Sequence, residues 1–123
     1  MESNGRPTSG HKQRLLPTVR ADVPDSYVDA LTAFCVEVPE IERGYVCAVR
    51  VDHDGAEPEQ RLSFCVKLRA PVTTPADSRD AMRRLFALWS RSQPEITRAL
   101  GFGVMADRAV DMWDRHALCV YSS

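Results

Sequence analysis

The sequence predicts an α+β domain, with helices packed on a mostly antiparallel sheet of about four strands in the order α-β-β-α-β-α-β. The first observation is a regular alternation of side chains along two stretches within residues 41–68. Successive side chains of a strand point to opposite faces, so this alternation indicates two half-buried strands. The second observation is that apolar residues recur at helical spacing before and after this hairpin, as expected for helices that cover one face of a sheet.

The first helix is predicted to begin after Pro24, where Asp25 or Ser26 can cap its free N–H groups. Pro39 ends it, because proline lacks the N–H that would continue the helical hydrogen bonds. Its apolar stripe consists of Tyr27, Leu31, Phe34 and Cys35.

The two strands of the predicted hairpin differ in character. On the first strand, one side carries Ile41, Arg43, Tyr45, Cys47, Val49 and Val51, and the other carries Val46, Ala48 and Arg50. On the second strand, one side carries Leu62, Phe64, Val66 and Leu68, and the other carries Ser63, Cys65, Lys67 and Arg69. Because apolar residues lie on both sides of the first strand, we expect a central strand covered on both faces, or an interface.

A second helix is predicted to follow Thr74 or Asp77 and to end at Pro94, with the apolar stripe Met82, Leu85, Phe86 and Trp89. Residues 96–105 are predicted to form a strand, because Gly101 and Gly103 would each weaken a helix by roughly 1 kcal/mol relative to alanine. Two glycines in a strand often mark a bulge or a close backbone approach. A short helix over residues 107–116 and a strand over residues 118–121 complete the domain.

The chain divides into a predicted disordered basic tail, residues 1–22, and a single α+β domain, residues 23–123. The tail mixes glycine, proline, serine and basic residues without periodicity. Leu15, Leu16 and Val19 are its exceptions, since they could dock on the domain as a short strand or turn.

Composition limits the classes of partner. The formal net charge of −1 argues against broad binding to nucleic acid, and no apolar stretch approaches the length of a membrane span. The four cysteines form no C-x-x-C pair, which favours unpaired thiols in a cytoplasmic protein. Gly101 and Gly103 complete neither phosphate-loop motif, so no cofactor is predicted.

Two constellations are weighed as sites. Cys65 lies opposite the leucine-bearing side of its strand and could act as a nucleophile with His116 as its base, although a packed free thiol is the commoner state. The loop of residues 52–59 could bind a ligand or a metal through Asp52, His53 and Asp54, although a solvated hairpin tip is the commoner state.

Two tryptophans, Trp89 and Trp113, lie within apolar stripes and are interpreted as core or interface residues, and so as further candidates for binding. No catalytic residue or metal site is assigned.

Residues 38–121 resemble the C-terminal domain of the SseB family, the enhanced serine sensitivity proteins of bacteria. The segments that carry the resemblance are VPEIERGYVCAVRV, RLSFCVKLRA, ALGFGVMADRAVDMWDRH and ALCVYSS. In the last of these, Val120 stands where the family has phenylalanine. The resemblance implies a cytosolic bacterial module linked to serine tolerance, without established catalytic residues.

The leading hypothesis is therefore a small, non-enzymatic interaction or regulatory module that binds a protein partner or associates with itself. The alternatives are a thiol-dependent enzyme that acts on a small molecule through Cys65 and His116, and a ligand- or metal-binding domain built on the loop of residues 52–59.

Overall fold

The computed structural model describes residues 11–123. It confirms the predicted α+β class, with helices packed on a sheet. The strands are β1 (His11–Leu16), β2 (Ile41–His53), β3 (Glu59–Leu68), β4 (Gly101–Val104) and β5 (Leu118–Ser122). The helices are α1 (Asp25–Glu37), α2 (Pro75–Ser92), α3 (Pro94–Ala99) and α4 (Val110–His116). The first ten residues of the predicted tail lie outside the described residues.

The sheet is mixed. Its order is β1-β2-β3-β4, and β5 also pairs with β2, alongside residues 43–46, whereas β1 pairs with residues 48–53. The β3–β4 pair is parallel, and the other pairs are antiparallel. The crossover through α2 and α3 brings β4 beside β3 in the parallel direction, which a short hairpin connection could not do.

The structure differs from the predicted tail from residue 11 onwards. The segment His11–Leu16 forms β1 rather than disordered chain, and a single 3-10 turn, Arg20–Asp22, follows it. Thr18 fastens this segment to the sheet, since its buried Oγ1 accepts a hydrogen bond from the Ala48 N–H at 2.8 Å. The sequence allowed Leu15 and Leu16 to dock on the domain as a short strand, and in the structure they do so as part of β1.

The second half of the chain differs from the sequence prediction in one element. Residues 94–99 form the short helix α3, and the strand that follows covers only Gly101–Val104. Pro94 ends α2 as predicted, but it also occupies the first turn of α3, where its fixed φ favours a helix start. The predicted helix over residues 107–116 begins as a 3-10 turn and becomes α4 at Val110.

The first face of the sheet, which α1 and α2 cover, carries the main core. Trp89 of α2 is fully buried and lies 5.1 Å from Phe34 of α1 and 5.3 Å from Phe64 of β3, measured between ring centroids. Thr74 caps α2 as predicted, by accepting a hydrogen bond from the Asp77 N–H at 3.1 Å. The strong helical stripe on α2 thus places Trp89 in the core, away from solvent.

The two strands of the hairpin meet this core differently. The leucine-bearing side of β3 faces it as predicted, with Phe64 and Val66 fully buried. In β2 the register shifts between Ile41 and Arg43, so Ile41 joins Val46 in the first-face core instead of lying on the side of Tyr45. One irregular position therefore breaks the alternation that the sequence suggested.

The second face of the sheet carries a smaller cluster, so helices cover both faces and not one face as predicted. Tyr45, Cys65 and Met105 form its buried centre, and Trp113 of α4 packs against them. Since α4 has only seven residues, it covers only part of this face. The uncovered part is where the candidate site lies.

Candidate functional site

An open groove crosses the second face of the sheet beside α4. We call it the cross-sheet groove, and its volume is about 240 Å³. Its floor comes from β1, β2, β3 and β4 in turn: Leu15, Val49, Ser63, Cys65, Gly101 and Gly103. Trp113 forms part of its wall and also lines a neighbouring depression between β1 and α4, which Met112 and His116 border. The two depressions therefore share one tryptophan side chain.

The groove exists at β4 because two successive positions on this face lack side chains. Gly101 lies opposite Ser63 and Gly103 lies opposite Cys65 in a regular register. A Cβ at Gly103 would lie 3.7 Å from the Cys65 Sγ, an ordinary contact distance, so the space above this glycine is available. The intervening Phe102 points to the other face and packs against Trp89 there. At Gly101 the Ser63 Oγ lies over the backbone, where a Cβ would be only 2.6 Å from it, so Gly103 supplies the open part of the floor and neither glycine marks a bulge.

A polar cluster fixes α4, and with it Trp113, to the sheet. The hydroxyl of Tyr45 donates a hydrogen bond to the carboxylate of Asp114 in α4. Arg43 holds both groups, with Nη1 at 3.3 Å from the Tyr45 hydroxyl and 3.5 Å from the Asp114 carboxylate. Tyr45 is almost fully buried, and burial together with the hydrogen bond to Asp114 raises its pKa. The phenol therefore stays neutral and keeps its proton in this bond at neutral pH.

The last residue of α4 is tied to the segment that follows β1. The N–H of Thr18, two residues after β1, donates to the backbone carbonyl of His116 at 2.8 Å. The side chain of His116 remains at the rim of the groove, where its Nδ1 donates to the Met112 carbonyl at 3.0 Å. Asp114 and His116 thus anchor the C-terminal half of α4, which makes the wall of the site a preformed one.

The charges around the two depressions are of one sign. The ionisable groups among the described lining residues are Arg14, Arg61, Cys65 and His116, with no carboxylate. Arg61 is exposed and has no hydrogen bond or ion pair within the described part of the chain. Arg14 has a long contact of 3.9 Å to Asp52. Arg61 is therefore the cation most available to a ligand.

The structure does not assemble the predicted pair of Cys65 and His116. Cys65 is only 6% exposed, and burial raises the pKa of its thiol to about 12. No hydrogen bond connects it with His116 within residues 13–123, and the His116 Nδ1 is already committed to Met112. A thiol in this state supplies very little thiolate at neutral pH, so the geometry favours a packing role for Cys65 in the floor of the groove.

The predicted loop site is a set of separate pairs. Asp52 lies 3.0 Å from the Nε of Arg50, and the His53 Nε2 lies 3.4 Å from Glu59. Among the described residues, no group of three or more histidine, cysteine or acidic side chains is placed to hold a metal ion. Asp54 precedes Gly55, whose φ of 70° makes the turn. The loop therefore serves the hairpin turn and its surface charge.

Three of the four binding candidates from the sequence lie together and one does not. Cys65, Trp113 and His116 line the two connected depressions, whereas Trp89 is buried in the first-face core. The sequence reasoning missed the floor glycines as site residues. The spacing of Gly101 and Gly103 could have indicated this floor, because two glycines two positions apart in a strand leave the same face of that strand without side chains.

Comparison of the chain with known protein families, with curated proteins and with solved structures gives no match. The resemblance to the SseB family therefore stays a prediction from the residues quoted above. Within residues 11–123, no helix has the length and apolar character needed to cross a membrane.

Proposed function

We propose that this chain is a small, non-enzymatic interaction or regulatory module of the cytoplasm, similar to the C-terminal domain of the SseB family, and that it binds a protein partner in the cross-sheet groove. The observation that carries the proposal is the groove itself. It spans four strands, is kept open at β4 by Gly103, and has an anchored tryptophan in its wall.

The composition of the groove supports binding in preference to catalysis. Tryptophan, methionine and arginine are enriched in protein interfaces; the groove offers Trp113 and Arg61, and the neighbouring depression offers Met112. Met112 is 45% exposed and adds apolar surface beside Trp113 in the neighbouring depression. All four cysteines of the chain are unpaired, which supports a reducing compartment.

The experiment closes the groove without disturbing the core. In Gly103→Val, the added Cβ meets Cys65 at an ordinary distance and the two methyl groups enter the groove, while a β-branched residue suits a strand. Val36→Ser is the matched control, because Val36 is 63% exposed on α1, on the first face. Tagged wild type and both variants are used for native capture from extract of the source cells, after urea titration has shown equal stability.

The expected result is a partner, identified by mass spectrometry and then purified, that binds the wild type and Val36→Ser but not Gly103→Val. Sedimentation of the chain alone tests whether a second copy is the occupant, in which case Gly103→Val converts an oligomer to a monomer. Equal binding by all three proteins would contradict the proposal, as would a monomeric wild type that retains no partner.

A further inference from the structure

The cross-sheet groove has the dimensions of a short extended segment. It runs across β1, β2, β3 and β4, so its length is about three interstrand spacings, or about 14 Å. An extended chain advances about 3.4 Å per residue, so about four residues fill it. The segment would cross the strands and would not add to a sheet edge.

The floor is apolar at one end and polar in the middle. Leu15 and Val49 lie side by side on neighbouring strands, and Trp113 stands next to them. Arg61 lies opposite Val49 on the next strand, and Ser63 follows it on the same face. A ligand in the groove therefore contacts apolar side chains at one end. Within one or two residues of that contact it also reaches the Ser63 hydroxyl and the Arg61 guanidinium.

The positive charge of the arginines around this site favours a ligand that carries negative charge. Arg61 has no carboxylate partner among the described residues, and Arg14 and His116 are further basic groups at the neighbouring depression. The nearest acidic residue on this face of β3 is Glu59, which is paired with His53 at 3.4 Å. A guanidinium with free donors binds a carboxylate in preference to any other common side-chain group.

We propose that the cross-sheet groove binds an extended acidic segment of a protein partner, about four residues long, with a carboxylate on Arg61 and apolar side chains over Leu15, Val49 and Trp113. This inference rests on the proposed function, since it names the part of the partner that the groove recognises. Gly103, whose missing side chain leaves open space above the backbone, lets the main chain of the segment approach the sheet closely at the β4 end.

The test uses capped tetrapeptides and the isotope-labelled chain. Leu-Glu-Leu-Glu is the probe, and Leu-Lys-Leu-Lys is its control with the same apolar side chains. Chemical shifts of the amides of Gly101 and Gly103 and of the Trp113 indole N–H report binding in the groove. Arg61→Glu removes the proposed contact, and Arg79→Glu is the matched variant, because Arg79 is an exposed arginine of α2.

The expected result is a saturable shift of all three signals with the acidic peptide. Arg61→Glu should weaken this binding about fivefold at low ionic strength, as for an exposed ion pair of up to about 1 kcal/mol. Arg79→Glu should change it by much less. Equal binding of the two peptides, no saturable shift, or shifts confined to α1 and α2 would overturn the inference.

This result separates the inference from the proposed function. If partner capture depends on Gly103 while the acidic peptide fails to bind, the segment chemistry is wrong and the groove remains the binding site. If capture is indifferent to Gly103→Val, the proposed function itself is wrong.

Discussion

Gly44 is the position where the fold tolerates a side chain least. It lies in β2 beneath α1, and a Cβ built there would be 2.6 Å from the Cys35 Sγ and 3.2 Å from the Phe64 Cε1. Non-bonded heavy atoms pack at about 3.5–4.0 Å, so the sulfur contact is about 1 Å too short. Both neighbours are buried, at 1% and 0% exposed, and neither can swing into solvent. Gly44→Ala must therefore displace α1 from the sheet.

The expected cost is that of overpacking a closed core, about 1–3 kcal/mol in the free energy of unfolding. For a domain of this size, that corresponds to a fall in Tm of roughly 4–12 °C. Urea titration followed by circular dichroism measures the cost at constant m-value. Gly103→Ala is the control, because its Cβ would meet the Cys65 Sγ at 3.7 Å, and we expect a change within about 0.5 kcal/mol.

A double-mutant cycle tests the assigned contact directly. Cys35→Ala removes the sulfur that Gly44→Ala would strike, so the cost of Gly44→Ala should be smaller in that background by at least about 0.5 kcal/mol. Additive costs, or a Gly44→Ala variant as stable as Gly103→Ala, would refute the packing of α1 on β2 that the structure describes.

Three further predictions concern the second face and the thiols. Tyr45→Phe should lower the free energy of unfolding by about 0.5–1.5 kcal/mol in urea titration, because the hydrogen bond from the buried phenol to the exposed Asp114 carboxylate is lost; no loss would contradict the anchoring of α4. Burial raises the thiol pKa of Cys65 from 9.0 to about 12, so the neutral thiol favours the folded state. Stability should hold below about pH 9 and fall as the pH rises toward 12, and Cys65→Ala should flatten this fall; an equal slope in both proteins would contradict it. In native Ellman titration at neutral pH, Cys119 should react first, because Cys35, Cys47 and Cys65 are buried; rapid reaction of all four thiols would show a loose core.

The elements with a strong periodic pattern could be predicted from the sequence. The stripe of α2 and the alternation of β3 each follow from the burial of one face. In α2, Leu85 and Trp89 of the stripe are fully buried, whereas Phe86 at its margin is 42% exposed. The irregular position after Ile41 could not be predicted, because a bulge is set by the neighbouring strands and leaves no pattern of its own. The helix α3 was missed because Pro94 both ends one helix and starts the next.

The candidate site could be predicted only in part. Trp113 was recognised as core or interface because it lies within a short apolar stripe, and Cys65 was correctly placed on the second face by alternation. The groove itself depends on which strand lies beside β3, and the sequence does not specify that β4 runs parallel to it. Without that pairing, Gly101 and Gly103 have no partner residues, and their missing side chains define no cavity.

The measurement that tests the central claim most directly is the amount of a purified partner that Gly103→Val retains relative to the wild type, with Val36→Ser as control. Equal unfolding free energies of the three proteins are established first. The groove account predicts that Gly103→Val loses most of the binding while Val36→Ser keeps it. Retention by Gly103→Val equal to that of the wild type would contradict the account, because the site would then lie elsewhere on the molecule.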